Sequence, residues 1–113
     1  MSTSSDLTRW DNALLSGAVL NNLSLGMMFS PSVPAPQRSG PPGTVSSYGM
    51  GWYINSLNGG VEMEHDGEIS GYSAENFIAQ YQGHTATVVI LTASDDVPNL
   101  VVLARNLATL ALT

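Results

Sequence analysis

The sequence predicts an α+β fold, an antiparallel sheet of about four strands flanked by N-terminal and C-terminal helices. Three observations carry this. Residues 1–29 and 95–113 repeat apolar side chains at helical spacing. Residues 48–94 read as short strands separated by glycine-marked turns. Strands joined by such turns lie side by side and pair antiparallel. With 113 residues, the chain is expected to form a single partial domain, with residues 30–47 as a Pro/Gly-rich loop.

Taken in order, Ser4 or Ser5 followed by Asp6 reads as a helix start, a hydroxyl cap with an acid in the first turn. Leu7, Trp10 and Leu14 share one face, which places Trp10 in the core, and Gly17 is a natural stop. Asn21 or Asn22 caps a shorter helix through Leu23, Leu25, Met28 and Phe29. Gly26 weakens it by roughly 1 kcal/mol relative to alanine, and Pro31 ends it. The loop that follows contains Pro31, Pro34, Pro36, Gly40, Pro41, Pro42 and Gly43, and is expected to lie over a surface.

Four strands are then predicted. The first covers residues 48–55, where Gly49 and Gly51 signal a close backbone approach or a bulge. Asn58-Gly59-Gly60 turns the chain into residues 61–65, which alternate apolar and polar side chains. Residues 72–81 form the third strand, and Gln82-Gly83-His84 turns it into residues 85–92. The apolar run Val88-Val89-Ile90-Leu91 predicts that this last strand is central and buried on both faces. Asp95-Asp96-Val97-Pro98 opens the final helix, with proline in its first turn. Its wide apolar face of Leu100, Leu103, Leu107 and Leu110 with Ala104, Ala108 and Ala111 must lie on a sheet or on another chain, and Arg105 is the one charge within it.

Composition narrows the function. The net charge is −6, with three arginines and no lysine. No basic patch supports nucleic-acid binding or attraction to an anionic membrane. Lysine chemistry and cysteine chemistry are both excluded. The start Met-Ser-Thr-Ser-Ser-Asp has no signal-peptide pattern and the apolar runs are too short to span a bilayer, so a soluble, cytoplasmic chain is expected. Charged residues make up only 11%, less than half the usual share, which points to surface covered by a partner or by further sequence.

The chemistry-bearing stretch is Glu64-His65-Asp66-Gly67-Glu68-Ile69-Ser70-Gly71-Tyr72. It sets a histidine, acids and glycines between two strands. A triad of Ser70, His65 and Asp66 is disfavoured because adjacent strand residues point to opposite faces. No metal-ligand spacing joins His65, Glu64, Glu62 and His84, and no cofactor is implied. Glu62, Glu64 and Glu75 read as the solvated side of the strands, and His84 as a solvated turn histidine.

Several phrases in order, Asp6-Leu7 into Arg9-Trp10, Ala13-Leu14-Leu15-Ser16-Gly17, Tyr48-Gly49-Met50-Gly51-Trp52, and His65-Asp66-Gly67 before Gly71-Tyr72, resemble a known family. They are similar to the C-terminal portion of the serine β-lactamase and penicillin-binding-protein-like hydrolases, in the branch of class C β-lactamases, D-alanyl-D-alanine carboxypeptidases and esterases. The resemblance implies acyl transfer through a serine ester, and family members are often exported. Within it, His65-Asp66-Gly67 matches the third motif, Lys-Thr-Gly or His-x-Gly, on a strand at the site. His65, Asp66 and Gly67 would contact substrate, and the backbone N–H of Glu68 would be an oxyanion-hole donor.

The family's Ser-x-x-Lys nucleophile motif cannot occur in a chain without lysine. Tyr53-Ile54-Asn55 matches the letters of its Tyr-x-Asn motif, but lies downstream of the place that motif occupies. The resemblance therefore implies a hydrolase fragment, inactive alone, that needs a complementing N-terminal segment to act on a small acyl substrate. The alternative is a non-catalytic binding module that buries its open faces in a homo-oligomer.

Overall fold

The computed structural model describes residues 1–38 and 40–113; Ser39, within the expected loop, lies outside them. The sheet has six strands rather than four: β1 Val33–Pro34, β2 Val45–Tyr48, β3 Tyr53–Leu57, β4 Gly60–Ile69, β5 Tyr72–Tyr81 and β6 His84–Thr92. They lie in chain order, each antiparallel to the next. The two extra strands come from the stretch read as loop. Val45 and Tyr48 have side chains suited to a strand, and β1 docks through Ser32 N–H to Tyr48 O and Ala35 N–H to Ser46 O. Pro34 is tolerated because β1 is the sheet edge.

The predicted strand over residues 48–55 is broken at Gly49-Met50-Gly51-Trp52, where Gly51 has φ +83°. A β-carbon on Gly49 would sit 2.6 Å from the carbonyl oxygen of Met28, so glycine is required for this loop to pack on the helix below. The remaining turns fall where glycine marks them. In the last, Gln82 and Gly83 both have positive φ, the pattern of a two-residue hairpin whose twist matches its strands.

Helix α1 spans Ser4–Leu15, and its cap is Thr3, whose Oγ1 accepts the Asp6 N–H at 3.1 Å. Gly17 follows the end with φ +83°. Helix α2 spans Asn22–Met28 and is capped by Asn21, whose Oδ1 accepts the Ser24 N–H at 2.8 Å. Helix α3 spans Leu100–Leu112 and starts later than residue 95. Pro98 precedes it, because Asn99 takes a left-handed conformation, φ +57°, at the cap position. No helix among the described residues is long and apolar enough to cross a membrane.

Strand alternation divides the side chains between two cores. On one face Leu14, Trp52, Ile54, Met63 and Ile78 pack with Leu25, Met28 and Phe29 of the α2 segment. On the other, Phe77, Ala79 and Ala86 meet Ala104 and Ala108 of α3, whose small side chains let the helix lie close to the sheet. Trp10 is not in the core: it is 49% exposed, and Asp11 and Leu14 occupy the buried face of α1. Strand β6 is an edge strand, not a central one, since a strictly sequential meander ends on its last strand. Its apolar run is explained by α1 and α3, both of which contact it.

Candidate functional site

Strand β4 outruns its neighbour. Pairing with β3 begins at Leu57↔Gly60 and stops at Tyr53↔Glu64. Beyond this, residues 65–69 pair only with β5, from His65↔Asn76 to Ile69↔Tyr72. Among the described residues, one side of this five-residue extension therefore carries no strand. His65, Asp66, Gly67 and Glu68 all lie on it. A β-carbon on Gly67 would meet nothing within 4 Å, and its φ is not positive. Glycine is needed there neither for conformation nor for packing, and it leaves open space beside the backbone.

His65 is exposed but oriented. Its Nδ1 lies 2.6 Å from the carbonyl oxygen of Asp66, and its Nε2 lies 3.2 Å from the Tyr48 hydroxyl. The ring stands edge-on to Tyr48, with centroids 5.9 Å apart, and tilted to Tyr53 at 5.5 Å. A carbonyl only accepts, so the neutral ring carries its proton on Nδ1 and accepts the Tyr48 O–H at Nε2. The Asp66 carboxylate turns away from the imidazole and meets Arg38 at 3.2 Å. Asp66 therefore offers His65 its main chain and not its carboxylate, and Ser70 sits in the turn after β4.

The polar face of β4 is not solvated. Glu62 and Glu64 are fully buried and Glu75 is 1% exposed, because α3 and the loop carrying Arg38 cover them. Arg105 grips Glu62 with two hydrogen bonds, Nε to Oε2 at 2.7 Å and Nη2 to Oε1 at 2.8 Å. Arg38 grips Glu64, its Nε donating to Oε2 at 2.9 Å, and stacks over the Tyr53 ring at 4.3 Å. Asn55 Nδ2 donates to both glutamates, at 3.3 and 3.2 Å. Arg105 was the signal: a lone guanidinium in the middle of an apolar helix must find a carboxylate if that helix is to bury its face.

Burial works against the Arg38 charge, but its hydrogen bonds to Glu64 and the carboxylates of Glu64, Asp66 and Glu75 outweigh it, so its pKa is raised. Glu75 is the member without a hydrogen-bond partner. Neither carboxyl oxygen has one among the described residues, and Arg38 Nη2 comes no nearer than 3.9 Å. Burial, then the charge of Glu64, pushes Glu75 up to about 8. It lines a cavity of about 240 Å³ together with Arg38, Asp66, Glu68, Ser73 and the start of α3. Among the described residues no group of three or more His, Cys, Asp or Glu is placed to hold a metal ion.

No family model, curated protein or solved structure matches the chain. Beside the open edge of β4, Ile69, Tyr72 and Leu91 present exposed apolar side chains, Ile69 at 70%. Together they line an open apolar groove with Met1.

Proposed function

We propose that this chain forms one wall of a serine-hydrolase-like acyl-transfer site, with His65-Asp66-Gly67 as the third motif. The observation that carries the reading is the unpaired edge of β4 at residues 65–69, with open space in front of Gly67 and His65 held at its start by Tyr48. An extended acyl substrate can lie along such an edge and bond to its main chain. In this reading Gly67 lets the acyl group come close. The Glu68 N–H donates to the oxyanion, an interaction worth about 3 kcal/mol at the transition state. His65 and Asp66 flank the substrate. The attacking serine and its lysine come from a complementing segment, since this sequence holds no lysine.

Two measurements test it. The purified chain is expected to turn over neither nitrocefin nor a p-nitrophenyl ester. A segment of this hydrolase class bearing Ser-x-x-Lys, added in trans, restores turnover that depends on His65 and Gly67. Turnover by the chain alone, lost in His65→Ala or Ser70→Ala, overturns the reading.

A second reading is favoured by the exposed Ile69, Tyr72 and Leu91 beside the same edge. A second copy packing the same sheet face against this patch would bury it, giving a non-catalytic homo-oligomer. Sedimentation decides: a folded monomer at micromolar concentration counts against it.

A further inference from the structure

Glu75 and Asp66 are direct cross-strand partners on β5 and β4. Their side chains share a face and their β-carbons are about 5 Å apart. Both line the cavity against α3. Asp66 is half-exposed, and Glu75, though almost fully buried, has no hydrogen-bond donor on either oxygen. The nearby cations are already engaged. Arg38 is shared between Glu64 and Asp66, and Arg105 is held by Glu62. Around the cavity one guanidinium therefore faces the carboxylates of Glu64 and Asp66 before Glu75 ionises, and Glu68 adds a further acid.

We propose that this cavity binds a primary ammonium group, held between the carboxyl oxygens of Glu75 and Asp66. An ammonium supplies the three donors that this arrangement lacks. Its alkyl stem has an apolar wall in Val97, Leu100, Val101 and Val102. A bare divalent ion is a poorer fit, because no metal-ligating group of three assembles among the described residues. An anion is disfavoured by Asp66 and Glu68. The amino end of α3 opposes a cation with roughly half a positive charge, which the facing carboxylates outweigh. The site shares Asp66 and Glu68 with the acyl-transfer wall, but it requires no serine nucleophile, and its test reads binding and not turnover.

Binding is coupled to a proton. With its pKa at about 8, Glu75 is protonated at neutral pH; burial and the charges of Glu64 and Asp66 on β4 raise it, while Arg38 in the loop and Arg105 on α3 lower it. A bound ammonium favours the carboxylate, so Glu75 releases its proton as the ligand enters.

The test is a titration of the isotope-labelled chain with n-propylammonium chloride at neutral pH, followed by amide and carboxyl-carbon NMR. Saturable shifts are expected at Glu68, Ser73 and Glu75, with the Glu75 carboxyl carbon moving to its ionised position. Glu75→Gln, which is isosteric and neutral, weakens binding about tenfold or more, and Asp66→Asn weakens it as well. A parallel titration with N-acetyl-lysine amide distinguishes a free amine from a lysine side chain as the natural source, by which of the two saturates first. The proposal is overturned if Glu75→Gln binds as well as the parent, or if sodium chloride or sodium butyrate gives the same shifts.

Discussion

The hydroxyl of Tyr48 lies 3.2 Å from Nε2 of His65, on strands that are not neighbours. Strand β3 separates β2 from β4, and the two rings meet because β3 begins at Tyr53, opposite Glu64. The imidazole reaches around the end of β3, and the shortness of that strand sets both the free edge and the histidine's orientation.

This geometry fixes the neutral tautomer of His65 with the proton on Nδ1. Nitrogen NMR of the ring should show that form dominant, against the usual preference for Nε2–H. Tyr48→Phe removes the donor at Nε2. The tautomer preference should then relax, at a cost in stability of about 1 kcal/mol or less.

Glu75 gives stability a pH slope. Its folded pKa of about 8 exceeds the unfolded value of 4.5, so across that window the folded chain binds more protons than the unfolded one. Stability is therefore highest at the acid end and is lost as pH rises, by at most about 1.4 kcal/mol per pH unit from this group. Asp11, also raised by burial, adds a slope of the same sign. Denaturant titrations at several pH values should show Glu75→Gln to be less pH-dependent and, at pH 8, more stable than the parent by about 1–3 kcal/mol.

The Arg105–Glu62 pair should be costly to break and cheap to replace. Arg105→Met leaves a fully buried carboxylate without its counter-ion, a loss of about 3–5 kcal/mol. The double variant Arg105→Met with Glu62→Met removes both charges and should recover most of that loss. Equal destabilisation of the single and double variants by urea unfolding would contradict this account.

Two glycines should respond in opposite ways to alanine. At Gly49 the new methyl meets the Met28 carbonyl at 2.6 Å, and a loss of about 1–3 kcal/mol is expected. At Gly67 nothing is within 4 Å, so alanine should be neutral or stabilise by about 0.5 kcal/mol. If the acyl-transfer reading is right, Gly67→Ala nonetheless abolishes the turnover restored in trans. Thermal melts and the nitrocefin assay separate the two effects.

The turns at Gly59 and Gly83, the helix stop at Gly17 and the Asn21 cap were legible in the sequence because each depends on a local conformation or a local hydrogen bond, whereas β4 runs four residues past its expected end at His65 to a tight turn at Ser70-Gly71. The alternation of Val61 and Met63 likewise located β4. What sequence did not reveal depends on what covers each face. Glu62, Glu64 and Glu75 alternate as a solvated face would, and only α3 and the Arg38 loop turn that face into an interior. Trp10 fell on a plausible apolar stripe, yet the core on that side is completed by Asp11, whose Oδ1 accepts a hydrogen bond from Asn76 Nδ2 at 2.9 Å. Strand β1 was hidden by Pro34, which an edge strand tolerates, and β2 by its place at the end of a Pro/Gly-rich stretch.

The strictly sequential order of the strands also bears on how the chain folds. Every strand pairing closes a loop to the segment just before it, so each step loses little chain entropy, and the sheet can zip up hairpin by hairpin from β4 and β5, its longest pair. The Asp11–Asn76 bond spans 65 residues and belongs to a later docking of α1. Substitutions at that bond should therefore speed unfolding and leave the refolding rate nearly unchanged.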